Sequence, residues 1–240
     1  MLFNFLCLNV RAKVSPAYRL SDTLDYQPID LALITEHKLL PRSQHFLSSI
    51  EHNFYASNTC DSSTDNSGNL RCGKAGTAIM IRKTLQKYVS HVNISNERII
   101  GMDLRSGNQL PLYVFCVYMS SDNNVILYNE TLCDIQSVFL HYCTLGTVIL
   151  VGDFNAQLDT DSRRTPNQKS KLLSLFIKRN RLSPLHQIFN SNAYTHVTAR
   201  SRIDHILIES SASQMYTKYS VADSHDVITC QYSLQSTTRV

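Results

Sequence analysis

The chain lacks the features that mark several common protein classes. Its seven cysteines include no Cys-x-x-Cys pair, which disfavours a structural zinc site, and their odd number in mostly apolar runs indicates a reducing compartment. The apolar segment 1–10 is too short to span a bilayer and has no basic region, so we expect neither a membrane anchor nor an export signal. Because no repeat, low-complexity segment or linker is visible, we expect residues 1–240 to form one domain.

The charge balance is only mildly basic. Charged residues make up 18% of the chain, with a formal net charge of +4, against 43% hydrophobic residues. This balance permits a polyanionic partner without requiring one. The hydrophobic fraction is that of an ordinary globular protein, and the length is sufficient for a sizeable core.

Short apolar runs separated by turn signals predict many strands. The segments 89–94, 98–104 and 110–119 follow one another without a helix, which predicts antiparallel pairing and not a doubly wound parallel sheet. The simplest arrangement is two mixed sheets packed face to face with helices outside. The other predicted strands are 2–10, 30–36, 54–57, 75–82, 148–153, 193–198, 203–208, 215–219 and 227–234, and the predicted helices are 16–26, 42–51, 128–142 and 169–179.

The most informative segment is Val-Ile-Leu-Val-Gly-Asp-Phe-Asn-Ala at 148–156. Its branched apolar residues predict a buried central strand, and Gly152 breaks the run before a carboxylate, Asp153, and an amide, Asn155. Because these two residues lie two positions apart at a strand end, they can project toward one site. A carboxylate that takes a proton from water and an amide that donates to a phosphoryl oxygen suit the hydrolysis of phosphate esters.

Other predicted strands also begin or end in a polar residue. A single Asp at such a position is most often a turn former or a cap, and a single Asn, Tyr or His is most often structural. The joint pattern is more informative, because loops at one end of a rigid sheet commonly carry the chemistry of a protein. The candidate residues are Asn9, Glu36, Tyr118, Asp153, Asn155, Asp204 and His225.

This ordered set resembles the endonuclease/exonuclease/phosphatase superfamily over nearly the whole chain. The motifs that carry the resemblance are Gly152-Asp153-Phe154-Asn155-Ala156 and Ser201-x-Ile203-Asp204, with a histidine near 225. Within the superfamily, several phrases are similar to the endonuclease domain of non-LTR (LINE-type) retrotransposons, which nicks target DNA. These phrases are 34–37, 96–101, 117–122, 146–156 and 169–173.

The resemblance implies an α+β fold of the deoxyribonuclease I type, a four-layer α/β sandwich. It also implies metal-assisted hydrolysis of a phosphodiester, in which Glu36 holds a divalent metal with Asn9 beside it. Oxygen ligands favour Mg²⁺ or Mn²⁺, which would neutralise phosphoryl charge and assist the leaving oxygen. Asp153 would orient or deprotonate the attacking water, and Tyr118 and Asn155 would donate to the non-bridging oxygens.

The last motif departs from the family pattern. His225 would contact the phosphate as a cation, with Asp204 fixing its tautomer, but the family reads Ser-Asp-His where this chain has Asp223-Ser224-His225. Ser224 stands where a carboxylate near the metal is expected, and Asp223 replaces it only if the loop shifts by one residue. Asp223 is thus the candidate for a third metal ligand, whether Asp223 or Ser224 takes the carboxylate position is left open, and we expect a weakened activity.

A run of basic residues follows the motif strand. One interpretation is a solvated helix face, which needs no function. The other is a surface that contacts DNA phosphates, in which case DNA binding would weaken steeply with salt. Target-site preference would belong to loops, for which 58–72 and 190–202 are candidates. The basic residues are Arg163, Arg164, Lys169, Lys171, Lys178, Arg179 and Arg181.

Three functions remain open at this point. The first is a Mg²⁺-dependent, DNA-nicking endonuclease of retrotransposon origin. The second is a catalytically decayed or domesticated nucleic-acid-binding remnant, and the third, which the retrotransposon-like phrases disfavour, is a phosphatase on a small or lipid substrate. For the first, the resemblance implies DNA as the partner, a monomer, no membrane, no small-molecule cofactor and action in the nucleus. The parent elements carry a reverse transcriptase downstream of this domain, and these 240 residues contain none.

Overall fold

Twelve strands in two sheets dominate the structure. The computed structural model describes residues 2–10, 20–25, 27–60, 75–94, 96–107, 109–158, 166–196, 200–222 and 227–233. Within these residues the strands are β1 (Leu2–Asn9), β2 (Leu31–Thr35), β3 (Phe54–Thr59), β4 (Thr77–Arg82), β5 (Val89–Val92), β6 (Ile99–Leu104), β7 (Leu112–Tyr118), β8 (Thr147–Asp153), β9 (Leu182–Pro184), β10 (Asp204–Glu209), β11 (Tyr216–Val221) and β12 (Val227–Ser233).

The helices are fewer and mostly short. Residues 20–25 are helical (α1), and α2 (Phe46–Ile50) and α5 (Leu185–Ile188) are single turns, whereas α3 (Val125–Tyr142) and α4 (Gln168–Arg179) are long. Both long helices start at an asparagine cap: the side chains of Asn124 and Asn167 accept hydrogen bonds from backbone N–H groups of the first turn. Three 3₁₀ turns cover Pro41–Ser43, Lys83–Tyr88 and Ser210–Met215.

Each sheet has six strands and is mixed. The first has the order β11-β12-β1-β2-β4-β3 and the second β5-β6-β7-β8-β10-β9. The pairs β1·β2 and β7·β8 are parallel and the other pairs are antiparallel. The predicted antiparallel run of β5, β6 and β7 is confirmed, as is the expectation of two mixed sheets.

Three clusters of buried apolar residues show how the sheets and helices are layered. One lies between the sheets and contains residues of both, such as Phe5 and Val114. A second packs α3 and α4 on the outer face of the second sheet, and a third packs α1 and α2 on the outer face of the first. The order helix, sheet, sheet, helix confirms the predicted four-layer sandwich. None of the helices described is long and apolar enough to cross a membrane.

The structure differs from the sequence prediction at short or half-polar segments. Residues 193–198 were predicted as a strand, but their described part makes only one isolated bridge, between His196 and Ser201. β9 and α5 were not predicted, because three- and four-residue elements show no periodicity. The helix predicted over 42–51 starts only at Phe46, whose side chain is 44% exposed.

Candidate active site

Parallel pairing of the central strands brings distant residues to one rim. Asn9 pairs with Thr35 at the end of β1 and β2, and Tyr118 pairs with Asp153 at the end of β7 and β8. β10 starts at the same rim, because Asp204 is the antiparallel partner of Asp153. Face-to-face packing of the sheets then brings the two sets together.

The contact between the two sheets at this rim is polar. The Asn9 amide nitrogen donates to Oδ2 of Asp153 at 2.9 Å and to Oε1 of Glu36 at 3.4 Å. A single amide therefore bridges carboxylates that are 117 residues apart in the chain and belong to different sheets. Lys38 lies on the other side of Glu36, with its ammonium 3.5 Å from Oε2.

Asp153 is fully buried beside a second carboxylate. Burial raises the pKa of Asp153 well above its usual range, and the charge of Asp204 raises it further. Hydrogen bonds from the backbone N–H of Asn155 and from the Asn9 amide oppose this rise by stabilising the ionised form. Carboxyl groups placed this close together favour a bound cation, because its charge would stabilise their ionised forms.

Tyr118 is held as a neutral donor. Burial raises the pKa of its phenol, and the Glu36 carboxylate raises it further. At neutral pH the hydroxyl therefore carries its proton and can donate it in a hydrogen bond.

Asn155 is fixed in an unusual backbone conformation. Its φ angle is +47°, in the left-handed region, and its backbone N–H donates to Oδ1 of Asp153 at 2.8 Å. Its side-chain amide donates to the carbonyl of Met119, also at 2.8 Å. Glu36 has a φ angle of +56°, so two predicted site residues adopt a conformation that non-glycine residues rarely take outside constrained sites.

The donor set at the rim fits a hard divalent cation. Glu36 and Asp153 supply carboxylate oxygens, and Asn9 carries an amide oxygen. The hydroxyl of Thr35 is buried next to Asn9 and has no hydrogen-bond partner within the described part of the chain. No cluster of three His, Cys, Asp or Glu side chains in that part has the proximity of a complete metal site. The fit rests on the oxygen chemistry of these donors, which hard divalent cations prefer.

Of the remaining predicted site residues, one lies at the rim and two lie outside the described residues. Asp204 is at the rim, buried, with its backbone N–H donating to the Thr195 hydroxyl at 3.2 Å. Asp223 and His225 lie outside the described residues, as do most of loop 58–72 and the tip of loop 190–202. Thus five predicted residues surround Asp153 at one rim, namely Asn9, Glu36, Tyr118, Asn155 and Asp204.

The described members of the basic run do not form one surface. Lys169 was predicted as part of an exposed basic face, but it is only 8% exposed and its ammonium donates to backbone carbonyls, so that prediction is wrong for this residue. Lys178, Arg179 and Arg181 lie near β9. Leu182 of β9 pairs with Glu209, which is at the end of β10 far from Asp204. Lys171 is exposed in the first turn of α4, and Arg163 and Arg164 lie outside the described residues.

Several supports of the rim were not predicted from the sequence. The Tyr128 hydroxyl donates to the Phe154 carbonyl at 2.9 Å, and the Arg202 guanidinium donates to the carbonyls of Ser191 and Ala193. For Lys169 a signal was present, because it lies four residues before Leu173 and seven before Phe176, on the buried face of the helix.

A surface cavity of about 460 Å³ lies beside the rim. The Arg98 guanidinium lines it and also lies 5.7 Å from the centroid of the Tyr118 ring. The cavity thus adjoins the candidate site on the side of Tyr118. Its lining residues are Ala75, Asn96, Glu97, Arg98, Leu127, Glu130, Thr131 and Asp134.

Comparison with known proteins identifies the class to which this fold and rim belong. The chain belongs to the endonuclease/exonuclease/phosphatase family, whose model matches residues 6–214. A search of curated protein sequences returned no match.

Solved structures with the same fold include a retrotransposon domain. The endonuclease domain of TRAS1, a telomere-specific non-LTR retrotransposon, has a TM-score of 0.72 and 15% identity over 98% of this chain and 100% of that domain. The catalytic domain of APE2 from Xenopus laevis has the same TM-score and identity, over 98% of this chain and 94% of that one. An AP endonuclease from Archaeoglobus fulgidus has a TM-score of 0.70 and 13% identity, over 97% and 100%. These similarities confirm the deoxyribonuclease I-like fold.

Proposed function

We propose that the protein is a divalent-metal-dependent endonuclease that nicks DNA and descends from a non-LTR retrotransposon. The observation that carries this proposal is the hydrogen-bonded cluster of Asn9, Glu36 and Asp153, which joins the two sheets at the rim. Family membership supports phosphodiester hydrolysis, and similarity to the TRAS1 endonuclease domain supports DNA as the substrate and a retrotransposon as the source. Action as a monomer in the nucleus is part of the same proposal.

Glu36, Asn9 and Asp223 would hold the metal. When bound, Mg²⁺ or Mn²⁺ neutralises charge on the phosphoryl group and on the leaving oxygen. The carboxyl groups of Glu36, Asp153 and Asp204 provide the attraction for such an ion, and the Lys38 ammonium beside Glu36 limits the excess of negative charge.

Asp153 would orient the attacking water and accept its proton. The water oxygen forms a bond to phosphorus as the bond from phosphorus to the leaving oxygen breaks, and the water proton passes to the carboxylate. Asn9 and the backbone N–H of Asn155 each bond one oxygen of this carboxylate, which fixes its plane. Burial raises the pKa of Asp153, and a carboxyl with a raised pKa accepts a proton more readily near neutral pH.

Donors around Asp153 would stabilise the charge that develops on the phosphoryl oxygens. Tyr118 offers a protonated phenol, and the Asn155 amide has a second N–H besides the one that it gives to Met119. His225, as a cation bonded to Asp204, would complete this set.

Nicking of supercoiled plasmid in Mg²⁺ tests the proposal. We expect wild-type protein to convert supercoiled DNA to the open circle. Asp153→Ala and Glu36→Ala should each lower this rate by at least about 10²-fold, because each removes a group that acts on the reacting atoms or their metal. Asp22→Ala, which removes an exposed carboxylate on α1, is the matched control and should nick at the wild-type rate.

The other two functions give different results in the same assay. A decayed or domesticated binding module would shift plasmid mobility or fluorescence anisotropy without producing open circles in Mg²⁺ or Mn²⁺. A phosphatase would release inorganic phosphate or a headgroup from a small or lipid substrate while leaving the plasmid intact. Either result would contradict the proposed endonuclease.

A further inference from the structure

Lys169 is a buried cation that the proposed chemistry does not use. It is the second residue of α4, and its side chain is enclosed between α4, α3 and the loop 119–124 that connects β7 to α3. Burying an ammonium group is costly unless hydrogen bonds replace its water. Lys169 meets this requirement with backbone carbonyls, since Nζ donates to the carbonyl of Ser120 at 2.8 Å and to that of Asp122.

The loop that Lys169 binds is attached directly to the candidate catalytic groups. It begins immediately after Tyr118, and the Met119 carbonyl accepts the Asn155 side-chain amide at 2.8 Å. The Met119 backbone N–H donates to the Asp153 carbonyl, also at 2.8 Å. A shift of residues 119–122 would therefore displace Tyr118 and Asn155 relative to Asp153.

A second contact of Lys169 leads to the same place. Its ammonium lies 5.1 Å from the centroid of the Tyr128 ring, a cation–π distance. The Tyr128 hydroxyl donates to the Phe154 carbonyl, between Asp153 and Asn155. Lys169 thus contacts both segments that fix Asn155: the loop that receives its amide and the tyrosine that holds the preceding residue.

We propose that Lys169 is a positioning residue, whose ammonium fixes the loop 119–122 so that Tyr118 and Asn155 are aimed at the phosphate that the water oriented by Asp153 attacks. This inference rests on the proposed function. Lys169 itself would touch neither substrate nor metal, because its donors are directed to the protein backbone. Its effect should therefore appear in kcat and not in DNA affinity.

The test compares Lys169→Met with Lys178→Met, which removes an exposed charge from the other end of the same helix. Methionine keeps much of the length and volume of lysine but removes the donors. We expect kcat for nicking to fall about 10²-fold in K169M with KM within about twofold of wild type, because misplacing reacting groups by about 1 Å has an effect of that size. K178M should retain wild-type kcat.

Hydrogen exchange provides a readout that does not depend on activity. In K169M, the backbone amides of Met119 and Asn155 should exchange about tenfold faster or more, because their hydrogen bonds to Asp153 open more often, while amides of β1 and β2 stay at wild-type rates. Unchanged exchange at these two amides would overturn the inference. An unchanged kcat would also overturn it. A loss of rate that is fully explained by a smaller fraction of folded protein would overturn it as well.

Misfolding of K169M and a lack of nicking by the wild-type protein each have their own test. If K169M does not fold, Lys169→Arg keeps the buried charge but replaces the compact ammonium with a longer, rigid planar fork, which should displace the loop 119–122. A folded K169R with wild-type kcat and wild-type exchange would overturn the inference. If wild-type protein does not nick DNA, the proposed function fails, and the exchange comparison still decides whether Lys169 fixes the loop.

Discussion

At the scale of single residues, Gly152 determines how closely Asp153 approaches β7. Its φ angle is +147°, and a Cβ placed there would lie 2.0 Å from the Val117 carbonyl oxygen. No side chain fits at this distance from a backbone atom. The glycine of the Gly-Asp-Phe-Asn motif is thus required by the parallel pairing of β7 and β8.

Replacing this glycine should be costly for folding. We expect Gly152→Ala to lower the free energy of unfolding by about 3 kcal/mol or more, since it adds overpacking to an unfavourable φ. Gly107→Ala is the matched control, because Gly107 also has a positive φ, +59°, but among the described residues beyond its chain neighbours nothing lies within 4 Å of the added Cβ. Its cost should be about 1 kcal/mol. Equal losses in denaturant titrations of both variants would contradict this explanation.

Individual site residues could be predicted only in part. Asp153 and Asn155 were found because a carboxylate and an amide follow an unbroken apolar strand, which is a local signal. The spacing of Lys169 to Leu173 and Phe176 indicates the buried face of α4, but its hydrogen-bond partners could not be predicted, because they are backbone carbonyls 47 and 49 residues away. Backbone acceptors carry no sequence signature, so such contacts emerge only with the tertiary structure.

At the scale of elements, α4 separates the members of the basic run. Lys171 lies in the first turn, near the loop that Lys169 binds, and Lys178 lies seven residues further along the helix. Seven residues correspond to about 10 Å along the helix axis, directed away from the rim. The two exposed lysines therefore differ in their distance from the proposed scissile phosphate.

This separation leads to a prediction about DNA binding. Lys171→Met should weaken DNA binding and reduce the slope of log affinity against log salt by about 0.9, the value for one lost phosphate contact. Lys178→Met should leave the slope at the wild-type value. Binding isotherms at several salt concentrations, measured without divalent metal, check both. Equal slopes in the two variants would mean that the basic residues are a solvated helix face.

Strands and helices were predictable where their patterns were long. The apolar stripe of α3 and the apolar runs of β1, β2, β7 and β8 exceed the length at which periodicity is informative. β9 and α5 are too short for this, and the predicted strand at 193–198 has no neighbouring strand with which to form a ladder in its described part. Pairing partners are set by the tertiary fold, which explains why that segment was misread.

At the scale of the whole molecule, topology creates the site. β1·β2 and β7·β8 are the two parallel pairs, and they place four strand ends at one rim of the sandwich. Local patterns could predict that each strand ends in a polar residue, but not that Asn9 and Asp153, 144 positions apart, are hydrogen-bonded. That contact depends on which faces of two sheets pack together.

The central claim is that this rim binds a divalent ion that is needed to cleave DNA. The most direct measurement is the nicking rate as a function of Mg²⁺ concentration, for wild type and for Glu36→Gln, which keeps the shape of the side chain and removes its charge. We predict no nicking with a chelator present, and a Mg²⁺ midpoint at least about tenfold higher in the variant, as expected for the loss of a ligand charge. Nicking that persists in chelator, or identical Mg²⁺ midpoints for the two proteins, would contradict the account.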